Sequence, residues 1–114
     1  MKRVLISEVP YKGLSHDPAI LKQELLKNGE IPHLTNFSVS TISPGMATTP
    51  HHHADMFELF FVASGAGRAI VNGEQIALEA GTLLLIEPGE QHELISSAGS
   101  ELTVIYLGIT SSKR

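Results

Sequence analysis

From Thr35 onward the chain breaks into short runs rich in Val, Ile, Thr and Phe, set apart by Gly, Pro and Asn. The punctuation recurs roughly every eight to twelve residues, the pattern of an all-β sandwich or barrel. The runs are Asn36 to Ile42, Thr48 to His53, Phe57 to Ala63, Arg68 to Val71, Gln75 to Leu78, Thr82 to Ile86, His92 to Ser96 and Glu101 to Ile109. Helices are not needed to account for this stretch. Asn72-Gly73, between Ala69-Ile70-Val71 and Glu74-Gln75-Ile76, is the strongest hairpin signal, because a type I′ turn needs positive φ at both central residues.

The stretch up to about Pro32 is less regular. Ser15-His16-Asp17-Pro18 predicts a helix start, with Asp17 as N-cap and Pro18 at N1, running from Ala19 to Lys27 and stopping at Asn28-Gly29. The rival reading makes Lys22 to Lys27 a strand that enters an Asn28-Gly29 turn. A chain of 114 residues has room for one domain and one core. Within it, residues 1–34 are expected to be an N-terminal segment packed on the barrel or on a partner chain, and residues 35–110 the barrel itself.

Charge and composition remove several function classes. Eight basic against twelve acidic residues leave a net charge of −4, and no basic run exceeds the terminal pairs Lys2-Arg3 and Lys113-Arg114. The electrostatic footprint of a nucleic-acid binder is absent. With no cysteine, a disulfide framework, a thiolate nucleophile and a zinc ribbon are all excluded, so any metal must be held by His, Asp or Glu. The apolar stretch Val4-Leu5-Ile6 is far too short for a signal peptide, and no run is long enough to cross a membrane as a helix. The expectation is a cytoplasmic protein without nucleic-acid or membrane partners. A helix-turn-helix in the residues before the barrel is not expected.

The chemistry gathers around three consecutive histidines. In an extended chain His51 and His53 share one face and His52 takes the other. A turn through Ala54-Asp55-Met56 leads into Phe57 to Val62, where Glu58 shares a face with Phe60 and Val62. A carboxylate there is costly unless a positive partner meets it. A third imidazole, His92, follows the turn at Pro88-Gly89-Glu90-Gln91.

These residues resemble the cupin superfamily, in particular its small single-domain members. Gly45-x5-His51-x-His53-x4-Glu58-x6-Gly65 matches every fixed position of the first cupin motif, G-x5-H-x-H-x3-4-E-x6-G. Gly81, Gly89 and His92 stand where the second motif, G-x5-P-x-G-x2-H-x3-N, has its glycines and histidine. Glu87 replaces that motif's proline, with Pro88 displaced by one, and Ser96 replaces its asparagine; neither is a ligand position. The resemblance implies a jelly-roll barrel, a double-stranded β-helix, binding one divalent metal ion per chain through His51, His53, Glu58 and His92. Imidazole and carboxylate ligands are compatible with Zn, Ni, Fe, Mn or Cu, and four protein ligands on an octahedral ion leave two positions open. It further implies a small oxygenated organic ligand, handled by a metal-dependent enzyme of dioxygenase, isomerase or lyase type. The alternative is a non-catalytic module that binds or senses a sugar or organic acid.

Other residues carry plainer expectations. His52 belongs on the surface or in an interface, and His16 and His33 are solvated or capping. Asp55 is a turn residue, and Glu87 and Glu90 are solvated. Phe60 and Val62 wall the pocket, with Tyr106 either beside them as a pocket acid or in the core. The pocket should be apolar, with few polar groups besides the ligands. Phe57, Leu59 and Phe61 oppose the pocket face, and Leu83-Leu84-Leu85-Ile86 has no polar side, whereas a lone antiparallel sandwich shows one wet face per sheet. Either the N-terminal segment covers that outer face or a second chain does, and a homodimer is the expected solution.

Overall fold

The computed structural model describes residues 1–14 and 17–111. After a single 3-10 turn at Ile6–Glu8, eight strands follow: β1 (Tyr11–Gly13), β2 (Leu21–Leu26), β3 (Leu34–Ile42), β4 (Met56–Val71), β5 (Glu74–Glu79), β6 (Leu83–Ile86), β7 (His92–Ser96) and β8 (Leu102–Thr110). Every pairing is antiparallel. One sheet runs β1-β2-β3-β8 to the first half of β4 and on to β6; the second half of β4 pairs β5 on one side and β7 on the other. A jelly-roll barrel results, with a core of Ile42, Val62, Ala69, Leu78, Leu102 and Val104 among its members.

β4 serves both sheets because of its glycines. The expected runs Phe57 to Ala63 and Arg68 to Val71 form one continuous strand. Its register against β8 shifts between Val62 and Ser64, and Gly65 there has φ 87°, a value L side chains resist. A Cβ on Gly65 would collide with the Glu101 carbonyl, and one on Gly67 with the Ile95 carbonyl. The chain can therefore bend from one sheet to the other only without side chains at these positions. The Asn72-Gly73 hairpin forms as expected, with φ 49° and 84°.

Two expectations are corrected. Ala19 to Lys27 is not a helix, and the rival strand reading holds instead: Leu21–Leu26 is a strand on β3, with Lys22 opposite Ser40 and Gln23 opposite Val39. The free edge of β3 offers unpaired backbone groups, and satisfying them overrides weak local helix signals. Asp17 does not cap a helix either; its carboxylate accepts hydrogen bonds from the Thr49 N–H at 3.0 Å and hydroxyl at 2.6 Å. Ser15 and His16 lie outside the described residues. The second correction is at Thr48 to His53, which does not form a continuous strand: it touches β7 through one isolated bridge, His51 to His92, with a second bridge, Ala47 to Ile95, just before it. Pro50 has no N–H to donate, and the Leu94 N–H goes to the Thr48 hydroxyl at 2.9 Å.

The N-terminal residues are tied down at β2, where the buried Gln23 amide donates to the Ile6 and Val9 carbonyls at 2.9 and 3.1 Å. They leave the far side of the sheet open. Phe61, Leu83 and Leu85 are 43%, 60% and 50% exposed, lying together because Phe61 pairs with Leu83 and Leu59 with Leu85. Among the described residues no helix is long and apolar enough to cross a membrane.

Candidate metal centre

His51 and His92 are held by reciprocal backbone hydrogen bonds of 3.1 and 2.9 Å, and their rings stand 4.4 Å apart. Each ring is aimed by its Nδ1, which lies 2.9 Å from the Thr49 carbonyl for His51 and 3.0 Å from the Glu90 carbonyl for His92. Donation from Nδ1 fixes the tautomer and leaves Nε2 as a lone-pair donor, the orientation metal-binding imidazoles adopt. The Asp17 carboxylate, by clamping Thr49, steadies the carbonyl that aims His51.

Glu58 enters from β4, where alternation turns it inward with Phe60 and Val62. One of its oxygens is 2.8 Å from His92 Nε2, and both groups are almost wholly buried. This separation is that of a hydrogen bond, yet neither Glu58 Oε1 nor His92 Nε2 has a properly directed hydrogen-bond partner. With Nδ1 committed to Glu90, Nε2 carries hydrogen only if the ring is a cation, so a neutral ring sets two lone-pair-bearing atoms face to face. Leaving buried polar atoms in this state costs about 1–3 kcal/mol each. A cation between them relieves both. The proton is one such cation: burial opposes charging His92, but the Glu58 carboxylate, with the Glu90 carbonyl and carboxylate, outweighs it and raises the imidazole above its ordinary value.

The ligand atoms of His51, Glu58 and His92 lie within 4.8 Å of one another, so these three residues could hold a metal ion. His53 stands a step outside, its Nε2 3.6 Å from the Glu58 oxygen and its ring 5.1 and 6.4 Å from those of His51 and His92. Its position depends on the second motif's turn, because the Gly89 N–H bonds the His53 carbonyl at 2.7 Å. His52 is exposed. Glu90 is more than a solvated neighbour, since its carboxylate closes the turn by accepting from the Glu87 N–H at 2.8 Å.

A cavity of about 170 Å³ opens on the cluster, lined by all four of His51, His53, Glu58 and His92. Phe60 and Tyr106 wall it, their rings stacked 5.7 Å apart. Val62 does not reach it: the side chain is fully buried in the core, and Val104 of β8 lines the cavity instead. Burial, helped by the charges of Glu58 and Glu24 and opposed by a hydrogen bond with Ser38, pushes the Tyr106 phenol up to about 12. It therefore stays protonated at neutral pH.

The lining is also less apolar than expected, because β2 and β3 contribute Lys22, Asn36 and Ser40, with Asp17 and Thr48 nearby. A signal for this was present in β3. Asn36, Ser38 and Ser40 alternate with Phe37 and Val39, so one face of the strand is polar over these positions. Lys22 carried no such signal, since its face depends on the strand pairing of β2.

Comparison with known proteins agrees with this geometry. A cupin domain model matches residues 38–109, and the chain belongs to the cupin family. It is similar to an oxalate-binding protein of Thermotoga maritima, with 26% identity over 66 residues, 58% of this chain and 54% of the relative; the match thus spans about half that relative's length. Among solved structures, a predicted oxalate decarboxylase from Thermotoga maritima superposes with TM-score 0.88 at 21% identity, covering 96% of this chain and 99% of that one. A polyketide cyclase from Streptomyces resistomycificus gives 0.81 at 19% identity, over 98% and 80% of the two chains. A cupin 2 conserved barrel protein from Salinispora arenicola gives 0.72 at 15%, over 96% and 87%. Likeness at these identities establishes the shared barrel.

Proposed function

We propose that the chain is a metal-binding cupin that holds a small oxygenated organic molecule against one divalent ion, bound by His51, Glu58 and His92 with His53 as fourth ligand. The observation that carries this reading is the buried pair of facing acceptors, Glu58 Oε1 and His92 Nε2, which needs a cation between them. His53 needs only a small ring movement to join, given its 3.6 Å approach to Glu58. A divalent ion in this site supplies Lewis acidity and open positions for an oxygen donor. Phe60 and Tyr106 shape the wall beside it, and Tyr106, kept neutral, donates rather than accepts a proton. Metal analysis of untagged protein should find close to one Zn, Ni, Fe, Mn or Cu ion per chain, and His92→Ala should empty the site. Full occupancy in that variant would overturn the assignment.

Whether the ligand is transformed or only held turns on the available bases. Among the described residues the cavity walls hold two carboxylates, Glu58, assigned to the metal, and Asp17, which already accepts two hydrogen bonds from Thr49, and Tyr106 is a neutral phenol. This favours the binding or sensing module over an enzyme that needs a dedicated base; turnover of a bound ligand under oxygen would reverse that preference. We also propose a homodimer through the outer face carrying Phe61, Leu83 and Leu85. The outward positions Phe57, Leu59, Phe61 and Ala63 in the first half of β4, Leu83 and Leu85 of β6, and Thr103, Ile105, Leu107 and Ile109 of β8 hold no formal charge, so a two-fold contact of this face with itself opposes no like charges.

A further inference from the structure

The cavity contains a charge that the metal site does not use. Lys22, on β2, is half-buried and lines the same cavity as Glu58 and His92, yet among the described residues its side chain makes no hydrogen bond or ion pair. The acids near it are taken. Glu24, two residues along the same strand, is paired with Lys12 at 2.8 Å, and the Asp17 carboxylate is held by Thr49. Nor is Glu58 a partner: the order β2-β3-β8-β4 sets the two three strands apart, about 14 Å along the curved sheet at 4.8 Å per strand.

The Glu24 charge reaches Lys22 only through space and is bonded to Lys12, so a ligand anion can still supply Lys22 with a directly bonded counter-ion. With a divalent ion in place, the formal charges of the ion, Glu58, Lys22 and Asp17 leave the cavity positive by one unit. Size sets a limit as well. A cavity of about 150 Å³ accommodates benzene, so about 170 Å³ holds a molecule of about that size.

We propose that Lys22 is the second anchor of the ligand, and that the cavity takes a small organic diacid with one carboxylate at Lys22 and the other at the His51-Glu58-His92 end. The inference deepens the metal-site reading and rests on it for the second carboxylate. Lys22 here determines specificity and takes no part in metal binding. The polar face of β3, with Asn36 and Ser40 in the lining, supplies hydrogen bonds between the two ends.

The test uses the full zinc-loaded chain and calorimetric titration with oxalate, malonate, succinate, glutarate and, separately, inorganic phosphate. At least one diacid should bind, and Lys22→Met should weaken it about tenfold to a hundredfold, the loss of one charge-assisted hydrogen bond. Zinc affinity should be unchanged in that variant, and Lys22→Arg should keep most of the diacid affinity. Diacid binding indifferent to Lys22→Met would overturn the proposal, as would phosphate binding as tightly as the best diacid with the same dependence on Lys22. Failure of the wild-type chain to bind zinc would instead defeat the metal reading. In that event the metal-free protein still decides for Lys22: succinate must shift the amide resonances of β2, and Lys22→Met must abolish the shift.

Discussion

Glu58→Gln keeps the shape of the side chain and removes its charge, which separates a carboxylate kept for a metal from one kept for stability. In metal-free protein in alkaline buffer, where His92 is neutral, the carboxylate oxygen and Nε2 face each other without a proton. A glutamine amide can donate to Nε2 and satisfy both atoms, so the metal-free variant should be as stable as wild type, or more stable by up to about 1–3 kcal/mol. Metal binding should move the other way. Removing a group that merely orients a ligand costs about 10- to 100-fold in affinity, and removing a ligand costs at least the upper figure. At a free metal concentration of about 100 times the wild-type Kd, binding stabilises wild type by about 2.7 kcal/mol; a hundredfold weaker site retains about 0.4 kcal/mol. A domain of this size shifts by about 4 °C per kcal/mol, so calorimetry should show a metal-induced rise of about 11 °C in wild type and about 2 °C in the variant. A lower metal-free melting temperature in Glu58→Gln, combined with an undiminished metal-induced rise, would refute the reasoning and make Glu58 a structural residue.

The remaining expectations concern protons, the fold and assembly. Because the metal-free His92 is raised above its ordinary value, its protonation stabilises the metal-free protein fully below about pH 6.5, an advantage lost as pH rises through the raised value. Metal needs the neutral ring, so the gap between metal-bound and metal-free melting temperatures should narrow on acidification, while chelation at neutral pH should lower the transition without abolishing it. Tyr106, raised to about 12, favours folding while neutral. That contribution is intact below the ordinary value of about 10 and disappears as pH passes about 12; ultraviolet titration should show a late phenol step that Tyr106→Phe removes. Light scattering at micromolar concentration should give a dimer, and Leu83→Lys should yield monomers that still bind metal; a monomeric wild type would refute the interface.

The sequence by itself determined the features that depend on near neighbours. Short β-branched runs, the Asn72-Gly73 hairpin and the glycines beside the ligand strands are local requirements of the backbone, so they can be read one segment at a time. The spacing of His51, His53 and Glu58 was legible for the same reason, since alternation and one turn fix which of them face inward. Only the tertiary structure decided what β2 would be. Leu21–Leu26 is extended because the edge of the next strand, β3, is open for it; the local signals allowed both a helix and a strand entering the Asn28-Gly29 turn, and the pairing chose the strand. The presence of Lys22 in the cavity follows from that pairing, as does the clamp of Asp17 on Thr49. Val62 and Val104 divide core from cavity wall by the curvature of the barrel, because alternation gives the face on which a side chain stands but not which residues on that face the bend of the sheet leaves uncovered.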